Sequence, residues 1–147
     1  MIVGYTTGVF DLFHFGHLNI LRNAKAMCDK LIVGITTDEL LKDYKKKSPV
    51  IPFNERCEIV RNIKFVDAVV PQPNLNKLEA WQKLKFQIMF VGDDWFNQPA
   101  WEQYEKQLAE VGVKIVYFPY TKGVSSTIIN NILSKLEQIE SSQHGPY

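Results

Sequence analysis

Apolar and polar positions along this chain form two recurring patterns, short apolar runs and longer amphipathic segments that separate them. The apolar runs are rich in Val and Ile, which is typical of buried strands. They predict five strands, at residues 2–7 (IVGYTT), 30–37 (KLIVGITT), 67–71 (DAVVP), 87–92 (QIMFVG) and 113–119 (VKIVYFP). The amphipathic segments between them predict helices.

Most of the predicted helices begin or end at a residue with a known capping preference. The predicted boundaries are Gly16 before the first helix, Thr37, Asn54 and Asn74 at the next three starts, Pro99 and Gly112 around the fifth, and about Ser125 to Glu140 for the last. Helices between all successive strands predict a parallel sheet with helices on both faces. We therefore expect an α/β, Rossmann-like single domain with a five-stranded sheet over residues 1–140 and a flexible tail at 141–147.

Composition narrows the function classes. The 147 residues carry a net charge of +1, which argues against a nucleic-acid binder that works through a broadly basic surface. The two cysteines lie far apart in the sequence, so neither a structural zinc site nor a disulfide framework is expected. No signal peptide and no membrane-spanning run is evident, so we expect a soluble, cytoplasmic protein.

Polar residues follow the predicted strands at the point where each strand ends. Asp11, His14 and His17 follow the first strand, Thr36 to Asp38 the second, GDDW (92–95) the fourth and YTKGVSST (120–127) the fifth. Because the carboxyl ends of parallel strands share one edge of the sheet, these loops are expected to converge there. Helix N-termini at the same edge favour anions.

His14 and His17 admit three interpretations. A metal site would need a third ligand, for which Asp11 is the near candidate. Both imidazoles could instead pack against the neighbouring phenylalanines in the core. The third interpretation is phosphate binding at a helix start, where Gly16 lets the backbone approach a ligand closely.

Five motifs carry a resemblance to a known family. GVFDLFHFGH (8–17) resembles the G-x-F-D-x-x-H-x-G-H signature of the cytidylyltransferase branch of the nucleotidyltransferase superfamily. GITTDELL, NERCEIVRNIKFVDAVVP and YTKGVSST resemble later segments of that branch in the same order, and VGDDW is similar to the fourth loop of glycerol-3-phosphate cytidylyltransferases. The resemblance covers about residues 2–135.

The resemblance implies transfer of CMP from CTP to a phosphorylated alcohol, with glycerol 3-phosphate as the best guess and pyrophosphate as the second product. It implies Mg²⁺ carried by the triphosphate, a homodimer, and no nucleic-acid or membrane partner. The implied catalytic residues are His14, His17, Lys45, Lys47 and Arg56. The implied nucleotide-binding residues are Gly8, Val9, Phe10, Asp11, Gly16, Lys64, Gly92, Asp93, Asp94, Tyr120, Thr121, Lys122, Gly123, Ser125, Ser126 and Thr127. The implied acceptor-binding residues are Asp38, Lys45, Lys47, Lys77 and Trp95.

Several of these residues keep a second interpretation. Arg56 could simply pair with a neighbouring carboxylate, GDDW could be an ordinary turn, and the lysines of KKKSP could be solvated, with Lys46 able to exchange roles with its neighbours. Tyr120 and Lys122 replace the arginine and glutamate of the family motif, and we expect Lys122 to supply the missing charge. Because of these departures, an adenylyltransferase acting on a sugar phosphate or flavin precursor and a non-catalytic nucleotide-binding module remain alternatives.

Overall fold

The computed structural model describes residues 1–46, 48–92, 99–119 and 132–139. Helices separate all successive strands along the chain, as the sequence predicts, and two helices lie between the second and third strands. The strands are β1 (Val3–Gly8), β2 (Lys30–Thr36), β3 (Ala68–Gln72), β4 (Ile88–Gly92) and β5 (Lys114–Phe118). The helices are α1 (Phe15–Lys25), α2 (Asp38–Lys45), α3 (Phe53–Arg61), α4 (Lys77–Leu84) and α5 (Pro99–Glu110), and a further helical segment, α6, covers residues 132–139.

All five strands are parallel, in the order β3-β2-β1-β4-β5. The chain builds the sheet outwards from β1 to β3 and then returns to the other side of β1 with β4. Strand order therefore reverses between β1 and β4, which leaves a crevice at their carboxyl ends. The predicted α/β fold is confirmed, and this topology places the crevice beside the loop that carries His14 and His17.

Two apolar clusters cover the faces of the sheet. One contains Leu21 and Ala24 of α1 and Val60 of α3, and the other contains Trp101 and Leu108 of α5. Helices from the first half of the chain thus cover one face and helices from the second half cover the other. No helix in the described parts of the chain is long and apolar enough to cross a membrane.

Helix starts agree with the sequence only in part. Thr37 caps α2 as predicted, because its hydroxyl accepts the Leu40 N–H at 3.2 Å. The predicted start of α4 at Asn74 is wrong. Asn76 is the cap, and Asn74 accepts the Asn76 N–H at 2.9 Å in a turn before the helix. Both asparagines suit a cap, and the local sequence alone does not distinguish them. The predicted start of α6 lies outside the described residues, as does the predicted tail at 141–147.

Most phenylalanines near β1 and α3 pack inside the fold and do not form an exposed apolar surface for a dimer. Phe10 belongs to the cluster under α1 and α3, and Phe13 and Phe53 pack against it. Phe15, by contrast, is 56% exposed. The homodimer therefore stays a prediction.

Candidate active site

Two histidines cap the helix that follows β1. His14 is the N-cap of α1, and its Nδ1 accepts the Gly16 N–H at 3.0 Å. His17 folds back so that its Nδ1 accepts the His14 N–H at 3.2 Å. The two rings stack with their centroids 3.9 Å apart. This is a capping box in which imidazoles take the places usually held by Ser or Thr and Glu.

The caps determine which nitrogen of each ring carries the proton. A nitrogen that accepts a hydrogen bond holds a lone pair, so each neutral ring carries its proton on Nε2. The pKa of His17 is lowered to about 4, mainly by burial and also by the nearby His14, while Asp11 acts in the opposite direction. Burial also lowers the pKa of His14. Near neutral pH the pair therefore offers two neutral Nε2–H donors at the N-terminus of an 11-residue helix, a position that favours an anion.

The loop between β1 and His14 has a constrained backbone. Phe10 and Leu12 both have positive φ, 53° and 50°, although neither is glycine. Such residues cost free energy and persist only where surrounding contacts hold them. The Phe10 and Phe13 rings each lie 5.3 Å from the His17 ring and fix its orientation. The packing proposed as an alternative role for the histidines is thus present and positions His17.

Asp11 joins this loop to the segment before α3. Its carboxylate accepts the Val50 N–H at 2.8 Å and the Ile51 N–H at 2.9 Å. These contacts anchor the chain just after the lysine-rich segment. Lys45 is the last residue of α2, Lys46 is its exposed C-cap, and Lys47 lies outside the described residues. The part of the chain that the structure describes contains no group of three or more His, Cys, Asp and Glu side chains placed to hold a metal ion.

The expectation that Arg56 faces phosphates is corrected by the structure. The side chain is fully buried, and its Nη2 donates to the Asp38 carboxylate at 2.6 Å. Its other hydrogen bonds go to the carbonyls of Val9, Thr36 and Ile51, at 2.7, 2.9 and 2.9 Å. Arg56 therefore ties the carboxyl ends of β1 and β2 to the start of α3, which is the carboxylate-pairing alternative.

Asp38 is likewise engaged within the fold. One carboxylate oxygen accepts Arg56, and the other accepts the Phe53 N–H at the start of α3, at 3.3 Å. Any contact of Asp38 with the acceptor substrate, as the resemblance implied, would have to compete with Arg56 and the Phe53 N–H. The structure instead makes Asp38 a support for Arg56.

Lys77 is a buried cation at the same edge of the sheet. It is only 7% exposed, and among the described residues its Nζ reaches one acceptor, the Thr7 hydroxyl, at 3.4 Å. Burial lowers its pKa to about 8. A buried ammonium without a carboxylate is costly, so this arrangement is suited to an anionic ligand near the end of β1.

Replacing Lys77 with Met should therefore stabilise the free protein. Because the folded pKa is lowered, the unfolded chain binds more protons here between about pH 8 and the ordinary 10.5, and wild-type stability should rise with pH in that window. Urea denaturation at pH 7 and pH 10 checks this. We expect the free energy of unfolding of Lys77→Met to exceed that of the wild type by more at pH 7 than at pH 10. A variant less stable than the wild type at pH 7 would contradict this expectation.

The structure brings together one part of the implied site and separates another. One group of implied residues spans the end of β1, the loop after it and the first turn of α1: Gly8, Val9, Phe10, Asp11, His14, Gly16 and His17. Gly92 ends the neighbouring strand β4. Lys64 is a correction, because it lies between α3 and β3 at the opposite edge of the sheet, with its Nζ 5.3 Å from the Phe65 ring. The implied residues Lys47, Asp93, Asp94, Trp95, Tyr120, Thr121, Lys122, Gly123, Ser125, Ser126 and Thr127 lie outside the described residues.

Sequence reasoning missed a group of polar side chains on the face covered by α4. Tyr5 and Gln72 line a pocket beside Lys77, and Thr7 accepts from the lysine. The sequence did contain one signal for this group. Gln72 is a polar residue in the otherwise apolar strand AVVPQ.

Comparison with known proteins agrees with this geometry. A family model described as cytidylyltransferase-like matches residues 5–132. The chain belongs to the cytidylyltransferase-like family. A glycerol-3-phosphate cytidylyltransferase of Bacillus spizizenii is 36% identical over 132 residues, covering 89% of this chain and 96% of the relative. An FAD synthase of Pyrococcus abyssi is 31% identical over 135 residues, covering 90% of each chain.

Solved structures support the fold of this cytidylyltransferase-like chain. A lipopolysaccharide core biosynthesis protein from Thermoplasma volcanium superposes with a TM-score of 0.69, at 24% identity, over 84% of this chain and 99% of the other. The family membership makes the protein a nucleotidyltransferase, and its relatives include both a glycerol-3-phosphate cytidylyltransferase and an FAD synthase.

Proposed function

We propose that this protein transfers CMP from CTP to a phosphorylated alcohol, with glycerol 3-phosphate as the preferred acceptor. The observation that carries the proposal is the capping arrangement of His14 and His17 at the N-terminus of α1, in which each Nδ1 accepts a backbone N–H and leaves Nε2 as the donor of each neutral ring. The 36% identity to a glycerol-3-phosphate cytidylyltransferase supports the choice of nucleotide and acceptor.

In the proposed reaction, an oxygen of the acceptor phosphate attacks the α-phosphorus of CTP. A phosphorus–oxygen bond forms as the bond from the α-phosphorus to the bridging oxygen breaks, and the electron pair leaves with pyrophosphate. No enzyme nucleophile is needed. The protein positions two anions and stabilises the charge that develops between them. His14 and His17 donate to the nucleotide phosphates, Lys77 binds the acceptor phosphate, and Lys45 and Lys47 contribute further phosphate contacts.

We expect Mg²⁺ to enter with the triphosphate and to retain several of its waters. Adding EDTA should abolish turnover while shifting the melting temperature of the free protein little, since the ion is not part of the fold. Thermal melts and pyrophosphate release, measured on the same samples, check this. A large loss of thermal stability on chelation would indicate a structural metal and would revive a metal role for His14 and His17.

The proposed function is tested by pyrophosphate release across a matrix of substrates. CTP, ATP, GTP and UTP are each combined with glycerol 3-phosphate, a pentitol phosphate, choline phosphate, a sugar 1-phosphate and FMN. We expect the highest kcat/KM for CTP with glycerol 3-phosphate. Nucleotide binding without release under any combination would show a non-catalytic module instead.

A second candidate is adenylyl transfer to a flavin precursor or a sugar phosphate. The 31% identity to an FAD synthase over 90% of the chain favours it, and Tyr120 and Lys122 replace residues of the cytidylyltransferase motif. Pyrophosphate release that requires ATP, with FMN or a sugar phosphate as acceptor, would support this second candidate.

A further inference from the structure

A pocket of about 200 Å³ lies between α4 and the sheet, beside the proposed reaction edge. Its lining includes Tyr5, Val70, Gln72, Asn76, Lys77 and Leu84. Tyr5, Gln72 and Lys77 are each at least nine-tenths buried, with exposed fractions of 2%, 6% and 7%. Three polar side chains that are largely withdrawn from solvent thus border one small cavity.

Each of these side chains keeps hydrogen-bonding capacity that the described residues do not use. The Tyr5 hydroxyl has no hydrogen-bond partner among them. The Gln72 carbonyl oxygen accepts the Thr36 hydroxyl at 2.9 Å, while its amide nitrogen finds no acceptor in the described chain. No fully buried side-chain nitrogen or oxygen in the described residues lacks a hydrogen-bond partner, so the unused groups of Tyr5 and Gln72 face the open space of the pocket. A cavity lined by several such groups is suited to a polar ligand.

The backbone of β2 makes room for the Tyr5 hydroxyl. Gly34 lies on the neighbouring strand, and a Cβ placed on it would lie 2.5 Å from the Tyr5 hydroxyl oxygen and 3.1 Å from the Thr7 methyl group. A side chain at position 34 would therefore displace the hydroxyl. The same contacts place the Tyr5 hydroxyl near Thr7, whose own hydroxyl is the 3.4 Å partner of Lys77.

We propose that this pocket binds the alcohol portion of the acceptor, and that Tyr5 is a specificity-determining residue that hydrogen-bonds a hydroxyl group of the substrate. The inference rests on the proposed function, in which Lys77 binds the acceptor phosphate. A phenol can both donate and accept, as a substrate hydroxyl requires, and the Gln72 amide adds a donor. Val70 and Leu84 pack against the carbon chain. The site therefore takes a phosphorylated polyol in preference to a phosphorylated alcohol without further hydroxyls.

The test compares two acceptors and two variants. Glycerol 3-phosphate and n-propyl phosphate share a three-carbon chain and a phosphate, and only the first has free hydroxyls. Tyr5→Phe removes one hydroxyl and keeps the ring, which stacks on Phe86 at 4.8 Å. Tyr104→Phe removes a hydroxyl from α5, outside the pocket lining, and serves as the control.

We expect the wild type to prefer glycerol 3-phosphate, and Tyr5→Phe to lower its kcat/KM roughly 3- to 10-fold, as for one lost hydrogen bond. Values for n-propyl phosphate, the KM for CTP and the melting temperature should not change, and Tyr104→Phe should match the wild type. Equal losses for both acceptors, or no loss for either, would overturn the inference and leave the proposed function standing. Absence of pyrophosphate release with both acceptors would overturn the proposed acceptor and this inference together.

Discussion

Replacing Arg56 with alanine is expected to lower the free energy of unfolding by about 3–5 kcal/mol, because the side chain is fully buried and makes four hydrogen bonds, one of them to the Asp38 carboxylate, which is 32% exposed. The substitution leaves the Asp38 carboxylate without its cation and three backbone carbonyls without their donor. It also opens a cavity where a fully buried side chain stood. Urea denaturation measures the loss.

Arg61 supplies a matched control within α3. Its Nη1 contacts Glu58 at 2.6 Å, the same separation as in the Arg56–Asp38 pair, but the two side chains are 56% and 66% exposed. An exposed pair of this kind contributes at most about 1 kcal/mol, so Arg61→Ala should change stability little. A stable Arg56→Ala protein with only a raised KM for nucleotide would contradict the structural role and restore the phosphate-binding interpretation.

The sequence predicts the sheet well because strand formation leaves a strong local pattern. Five apolar runs predict the number of strands, and the helices between them predict that the strands are parallel. Each observed strand lies within two residues of its predicted bounds. The order of the strands in the sheet is harder to predict from the sequence, because it depends on which helices pack on which face. Alternation of strand and helix predicts a parallel sheet without saying that β4 returns beside β1.

The candidate site is predictable only where its chemistry lies within one loop. His14, Gly16 and His17 form a contiguous motif, so their convergence at a helix start can be derived from the sequence. The role of Arg56 is predictable only in part. Pairing with a carboxylate, here Asp38, was one of its two interpretations, but its other partners are the carbonyls of Val9, Thr36 and Ile51, which any residue type would supply. The pocket beside Lys77 depends on Tyr5 reaching over Gly34, a contact between strands that sequence spacing does not reveal.

Replacing either histidine with asparagine is expected to lower kcat by about 10²–10³-fold with little change in stability. Asparagine can place an oxygen where Nδ1 lies, and at position 14, the N-cap of α1, it is among the most favourable residues. Each variant should therefore keep the hydrogen bond that caps α1, from Gly16 N–H to residue 14 or from the residue 14 N–H to residue 17. What it loses is the outward Nε2–H donor, and one lost donor to a developing oxyanion costs about that much.

Glutamine at the same positions tests the opposite loss, because it keeps a donor near the place of Nε2 and loses the capping acceptor. Its longer amide can reach the place of Nε2 and still donate, but it is poorly placed to accept the capping N–H. We expect His17→Gln to retain more activity than His17→Asn while being less stable, and activity assays with urea denaturation measure both effects. If His17→Gln were instead the less active and the more stable of the two variants, His17 would serve packing and capping rather than catalysis.

The pH dependence of stability separates the two roles of His17 once more. Because its folded pKa is about 4, below the ordinary 6.5, the unfolded chain binds more protons at this residue between those values. Wild-type stability should therefore fall as the pH drops from 6.5 towards 4, and His17→Asn should lose less stability over that range. Nitrogen chemical shifts of the imidazoles, measured at pH 7, should show both rings neutral with the proton on Nε2. A charged His17 at that pH would contradict the neutral-donor assignment, since the activity proposed for the pair would then depend on an imidazolium.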